Sequence, residues 1–446
     1  MSGDDGSGPG YPDPVQGARE DHDAVVRLVQ DLVRIPSRGG IDSYGPVLDC
    51  MASWLARHGL TCRRLAGTGG TTVALASEVT GNGPGPRYVL DACLDTAPNA
   101  WTYPPASGQI TGGWLHGRGS ADSKAEAAIF AHVAARLQRT AARWSGSVVL
   151  LFDVDEHTGV FGGAKAFFEH APSGRVDGVM IGYPGLDHVV TGGRGVFRAR
   201  LHVHGIAGHS GASKTLPSAI AKAAALISRL EEMPIPGPPG PDFPLPAKLT
   251  VTAISGGEGY STVSDLCTLN VDVRLTPALD AQAAADMLRA AAAEVDAAWP
   301  GTQPTDAEVT TCWPAFALGE HGPLRAALLA GAEAAGVRPS AKVAGPSNIG
   351  NYLAGLGIPA TAGFGVDYRG LHGTDEQIEL ESIPLVQAAY HQALLTLLPQ
   401  AEPRRTACRR SRPVIGGGRE HTNVMPSLDA ACNPLCPETT HSPNRE

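Results

Sequence analysis

Polar and apolar positions along this chain follow two periods, and the switches between them lay out its elements. Residues 21–35 carry Val25, Val26, Leu28, Val29, Leu32 and Val33, a stripe at helical spacing that stops before Pro36. Arg87–Cys93 reads as a buried strand, and residues 147–154 (SVVLLFDV) and 178–182 as two more, with an alanine-rich helix over 123–137. Continuous apolar strands separated by helices predict a parallel or mixed sheet covered on both faces. Sites in such sheets form beyond the strands' C-terminal ends, where Cys93, Glu156, His157 and Tyr183 all fall.

The period changes near Gly192. Residues 196–204 alternate, with Phe197, Ala199, Leu201 and Val203 on the inward face, as in a half-exposed antiparallel strand. His202 and His204 share its other face and are read as structural. A helix over about 217–232, a Pro/Gly linker over 234–246, strands at 248–254 and Leu266–Leu275, and a helix over about 280–298 complete a small two-layer α/β unit. Helices at about 321–335 and 382–398 then return to the first unit. The predicted organisation is a first domain over 21–191 and 307–400, interrupted by an insert over 192–306. Residues 1–20 and 401–446, rich in Gly, Pro, Ser and charge, are read as terminal segments without packed structure.

Composition narrows the function classes. With 446 residues, 43% apolar and 18% charged, the chain has an ordinary globular balance and room for two domains. A formal net charge of -9 argues against nucleic acid or an anionic membrane as the main partner. No run reaches the roughly 18 apolar residues that span a bilayer. The start, MSGDDGSGPGYPDP, is acidic and has no apolar core of a secretory signal, so a cytoplasmic enzyme is expected. The eight cysteines are scattered, which suits reduced thiols. In the tail, Cys408, His421, Cys432, Cys436 and His441 match no common zinc spacing.

Candidate chemistry sits in five short motifs: DACLDTAP (91–98), GRGSADSK (117–124), VDEHTG (154–159), GYP (182–184) and LHGTDE (371–376). Their order and spacing resemble the family that includes acetylornithine deacetylase, succinyl-diaminopimelate desuccinylase, aminoacylase, carnosinase and carboxypeptidase G. The resemblance covers roughly residues 22–400. It implies a zinc-peptidase-like three-layer α/β catalytic domain with a mixed, mostly parallel sheet, plus an inserted two-layer α/β lid and dimerisation domain. It also implies amide hydrolysis with two zinc ions. Carried over residue by residue, Asp122 takes the bridging position, Glu156 the general base, His372 the late ligand, and Asp95 the Asp that orients the first ligand.

Three positions depart from that pattern. Cys93 stands where the family has His, His157 where it has Glu, and Tyr183 where it has Asp or Glu. Asp122, His157 and His372 still form a sound set for zinc, or for iron or manganese. Cys93 and Tyr183 are altered positions lining the site, and a phenol with a pKa of about 10 is a poor ligand. One ion is the leading reading, with two ions of altered chemistry, or none, as the alternatives.

The resemblance further matches His209 to a residue that reaches the site across a dimer interface and stabilises an oxyanion. It matches Arg274 to one that binds a substrate carboxylate. Ser261, Asn348 and Gly365 take substrate-contact or pocket-wall positions, with Ser261, Ser264 and Asn348 departing from the family's residues, and Glu376 supports the ligands. The expectation is a homodimeric, metal-dependent hydrolase of a small N-acyl amino acid or dipeptide. The alternatives are the same fold turned to acyl transfer, cyclisation or isomerisation, or a pseudoenzyme; Cys93 beside Asp95 and His157 would suit a nucleophile.

Overall fold

The computed structural model describes residues 13–98, 107–169, 174–241 and 243–401. The cysteines and histidines of the tail lie outside the described residues.

The first helix begins earlier than its apolar stripe suggests. It runs Pro14–Val33, so residues 14–20 are helical rather than part of an unstructured terminus. The reason is local: Asp13 accepts a hydrogen bond from the Val15 N–H at 3.0 Å, and Pro14 supplies the fixed φ of a first helical position. Neither signal depends on apolar spacing.

A six-stranded sheet forms the centre of the catalytic unit. Its order is Cys62–Ala66, Thr72–Thr80, Ser147–Asp153, Arg87–Cys93, Gly178–Ile181 and Ala360–Thr361. The first three are joined antiparallel and the remaining neighbours parallel, so the sheet is mixed and mostly parallel. Every residue of Ser147–Asp153 is buried, as a central strand covered on both faces requires. One face packs under helices Pro14–Val33, Ala125–Arg139, Pro323–Ala334 and Ser382–Leu397. The other packs under Gly162–Phe168 and Ile349–Gly355. A small neighbouring sheet holds His188–Gly193 between Phe316–Ala317 and Ser340–Ala344.

The inserted unit has its own core, built by helices Ala219–Glu232 and Ala281–Ala297 on a four-stranded antiparallel sheet. The strand order is Lys248–Gly256, Leu266–Leu275, Gly195–His204 and Asp306–Trp313. This shifts the expected boundary at 306, because Asp306–Trp313 belongs to the insert's sheet. Its sequence, DAEVTTCW, is too polar to announce a strand, and five of its eight residues are exposed. The strand Gly195–His204 therefore lies inside the sheet, and the open edges are Lys248–Gly256 and Asp306–Trp313. His202 and His204 sit on its polar face, His202 against Thr268 at 3.3 Å and His204 against Asp306 at 2.9 Å.

Candidate metal and active site

The site forms where strand ends and one irregular turn meet. Asp122 sits in the turn Ser120–Lys124 that precedes helix Ala125–Arg139. Glu376 fixes that turn: its Oε1 accepts from the N–H groups of Ala121 at 3.0 Å and Asp122 at 3.2 Å. Arg118 holds Glu376 in turn, with Nη1 donating to Oε2 at 3.0 Å while Nη2 donates to the Gly373 carbonyl. Lys124 ends the motif. Its buried Nζ donates to the carbonyls of Leu32 and Ile35, each at 3.0 Å, and so caps the end of the first helix. Burial pulls its pKa down to about 8, against the raising effect of Glu376 and its neighbours.

Side chains converge on Asp122, which is 3% exposed. His372 Nε2 lies 2.6 Å from Oδ2, and His157 Nε2 lies 3.3 Å from the same atom. Cys93 Sγ lies 3.9 Å from Oδ1. One donor atom each from Cys93, Asp122 and His157 falls within 4.8 Å of the others. The expected ligand trio was Asp122, His157 and His372; the geometry draws Cys93 into the same group. His372 reaches in from a left-handed backbone, φ 55°, which a non-glycine residue adopts only when its surroundings hold it there.

Asp95 organises the other side of His157. Its Oδ1 accepts from the Glu156 N–H at 3.2 Å, and its Oδ2 from the His157 N–H at 3.0 Å. Oδ2 is also 3.5 Å from His157 Nδ1, and Glu156 Oε2 is 3.4 Å from that nitrogen. The imidazole thus stands between Asp122 and the Asp95–Glu156 pair. Burial lowers its pKa, but contacts with Asp122, Asp95 and Cys93 outweigh that and push it well up. Burial raises Glu156 to about 7; His157 opposes the shift, while Asp122 and Asp95 add to it. Burial also drives the Cys93 thiol and the Tyr183 phenol upward, and the carboxylates around Asp122 push the same way.

Above these groups opens a cavity of about 470 Å³. Asp91, Cys93, Asp122, Glu156, Tyr183 and His372 line it, as do Ser347 and Asn348. Asp91 was not singled out from the sequence, although a carboxylate inside the apolar strand Arg87–Cys93 is a visible signal. It has no solvent exposure, and neither of its oxygens has a hydrogen-bond partner; the same holds for Asp153. Burial lifts Asp91 to about 8, with Glu156 adding to the shift.

The remaining predicted residues divide. Arg274 reaches the cavity wall indirectly, donating to Ser347 Oγ at 3.3 Å while Asp272 pairs with its Nε at 2.7 Å. Asn348 lines the cavity, but its side-chain oxygen caps helix Ile349–Gly355 by accepting from the Gly350 N–H at 2.8 Å. Its side-chain oxygen is thus engaged as a helix cap. Gly365 is a packing position and not a cavity wall: a Cβ there would lie 2.2 Å from Glu126 Oε1 and 2.5 Å from the Tyr183 carbonyl. His209 and Ser261 are exposed and lie outside this cavity of the single chain.

The donors suit a divalent cation. Cysteine, carboxylate and imidazole side chains are all competent ligands once a cation displaces their protons, and His157 Nδ1, which has no hydrogen-bond partner, faces carboxylates that can orient the ring.

Comparison with known proteins identifies the family. Residues 89–396 match the model of peptidase family M20/M25/M40. A succinyl-diaminopimelate desuccinylase of Maricaulis maris is 29% identical over 385 residues, covering 82% of this chain and 94% of the relative. One from Rhodospirillum centenum is 27% identical, covering 85% and 98%. Among solved structures, a tripeptidase of Staphylococcus aureus superposes with a TM-score of 0.67 at 19% identity, covering 84% of this chain and 98% of that one. A dinuclear metal-binding M20 peptidase of Bacillus subtilis gives 0.66 at 17% identity, covering 85% and 99%. No helix among the described residues is long and apolar enough to cross a membrane.

Proposed function

Since the chain belongs to peptidase family M20/M25/M40 and is a hydrolase, we propose that it cleaves the amide bond of a small N-acyl amino acid or dipeptide at a centre holding one metal ion. The observation that carries this reading is the convergence of Cys93, Asp122 and His157 donors within 4.8 Å, with Glu156 against the same imidazole. A thiolate-containing set favours zinc over iron or manganese. A single ion is the reading because Tyr183 offers a phenol, with an ordinary pKa of about 10, where the family has a carboxylate for the second.

When bound, the ion supplies Lewis-acid polarisation of the scissile carbonyl and acidifies water. The side chains do the rest. Glu156, held at about 7, takes the proton of the attacking water and returns it to the leaving amine. Asp95 holds the backbone of Glu156 and His157, which fixes the base relative to the donor group. Arg274, oriented by Asp272, offers its guanidinium to a substrate carboxylate beside Ser347. Across a homodimer, His209 of a second copy supplies oxyanion stabilisation.

A second reading, acyl transfer through Cys93, draws on one observation. The thiol lies against His157, whose Nδ1 is 3.5 Å from Asp95, an arrangement of thiol, imidazole and carboxylate. Elemental analysis of protein purified without added metal separates the two. The expected result is close to one ion per chain, lost in His157→Ala, with Glu156→Gln keeping the ion and losing about two to four orders of magnitude in turnover of N-acyl amino acids. Protein free of metal, yet active and inactivated by Cys93→Ser, would replace the first reading with the second.

A further inference from the structure

Glu156 and His157 lie in a loop, residues 155–161, between strand Ser147–Asp153 and helix Gly162–Phe168. Asp95 holds its near end through the N–H groups of Glu156 and His157. The loop is bounded by two of the three non-glycine residues with left-handed backbone among the described residues, Asp155 at φ 73° and Phe161 at φ 57°. The two are tied together, the Phe161 N–H donating to the Asp155 carbonyl at 3.1 Å. A bulky side chain takes that conformation only when its surroundings hold it there.

What holds Phe161 comes from the insert. Its ring is 4% exposed and stacks on Trp313, with centroids 4.8 Å apart and planes 22° from parallel. Trp313 is the last residue of the edge strand Asp306–Trp313, opposite Val196, so it stands where the chain crosses back from the insert. The two crossings are packed hard against each other. A Cβ at Gly195 would lie 2.5 Å from the Trp313 carbonyl oxygen and 2.5 Å from the Ala315 nitrogen. The wholly buried Asn351 binds both crossings to helix Ile349–Gly355, its Nδ2 donating to the carbonyls of Arg194 at 3.1 Å and Pro314 at 2.8 Å. The seat of the insert thus fixes the Trp313 ring, and the loop must fit against it. Neither aromatic residue is among those that line the cavity.

We propose that Trp313 is a positioning residue for the reaction. Acting through Phe161, it holds the far end of the loop 155–161 and so sets where Glu156 and His157 stand. The insert then contributes to the geometry of the base within its own chain, apart from anything it does toward a second copy.

The kinetic arm of the test rests on the amide-hydrolase reading, and the first arm does not. In hydrogen–deuterium exchange of the whole chain, Trp313→Ala should speed exchange across 155–161 about two- to tenfold, the equivalent of one aromatic pair. The peptides of Ser147–Asp153 and Leu266–Leu275 should keep the parent rates. Phe161→Leu, which removes the stack from the other side, should do the same, and Trp313→Phe should stay near the parent. In the kinetic arm, Trp313→Ala should lower kcat for N-acyl amino acids about ten- to a hundredfold with little change in KM, because the base moves while the cavity wall does not. Faster exchange confined to 155–161, with no turnover by the parent, would keep the coupling and reject hydrolysis. Unchanged exchange and unchanged kcat in an active enzyme would overturn the coupling and leave hydrolysis standing. Faster exchange throughout the chain in both Trp313→Ala and Phe161→Leu would make the pair ordinary core packing and overturn it too.

Discussion

Lys222 in the inserted unit and Asp91 in the catalytic unit are both wholly buried ionisable residues. Lys222 is saturated. Its Nζ meets Asp296 Oδ1 at 2.7 Å, Thr302 Oγ1 at 2.9 Å, the Gln303 carbonyl at 3.0 Å and the His204 carbonyl at 3.3 Å. Asp296 is satisfied as well, accepting from the N–H and hydroxyl of Thr305. Asp91 has nothing: neither oxygen is hydrogen-bonded, and Asp153 on the neighbouring strand repeats the pattern. A buried polar group without a partner is costly, so a fold that only needed to be stable would not keep one. In the insert, polar burial joins helices to the sheet. Beneath the donor group, it leaves the carboxyls poised and the neighbouring bases shifted.

That contrast can be broken from either side. In the insert the break lies at Lys222. Lys222→Met leaves the half-buried Asp296 without its cation, and Thr302, Gln303 and His204 without their donor, and should cost about 1–3 kcal/mol in urea unfolding. A loss well below 1 kcal/mol would mean the insert's polar core is not what holds its helices to its sheet.

Asp91 should behave oppositely. Its carboxyl rises from an ordinary 3.8 to about 8 in the fold. Between those values the folded state keeps a proton that the unfolded chain releases. The contribution of Asp91 to stability therefore falls as pH rises from about 4 to about 8, by up to about 1.4 kcal/mol per pH unit, and levels off outside that window. Asp91→Asn should flatten this slope and raise stability at pH 8, measured by denaturant unfolding from pH 5 to 9 with a chelator present. An unchanged slope would mean that Asp91 is charged and paired in solution.

The smallest expected signal sharpens what the insert contributes to catalysis. If His209 acts in a partner's cavity, mixing Glu156→Gln with His209→Ala subunits should restore at most about a quarter of the normal rate, because half the dimers each carry one complete site. Confirmed subunit exchange with no recovery would confine His209 to the surface of its own chain.

How far the chain could be read without its structure follows the same division. The buried strands Arg87–Cys93 and Ser147–Asp153 and the stripe of the first helix were legible because each records its own surroundings in a local period. The motif order brought Asp95, Asp122, Glu156, His157 and His372 to one rim. The strand Asp306–Trp313 stayed hidden because an exposed edge strand needs no apolar alternation. Gly365 looked like a pocket-wall position because a motif gives a position without saying how closely its neighbours pack.

The layers were open to reading from the chain alone, since they follow from spacing along one stretch of it. The tertiary structure alone decided which side chains meet. Cys93 joins Asp122 and His157 because its strand ends in register with Asp153, one strand over. His188 finds Lys342 154 residues away because their two strands pair in parallel. Such encounters depend on register between distant segments, and a one-residue slip would turn each side chain to the opposite face.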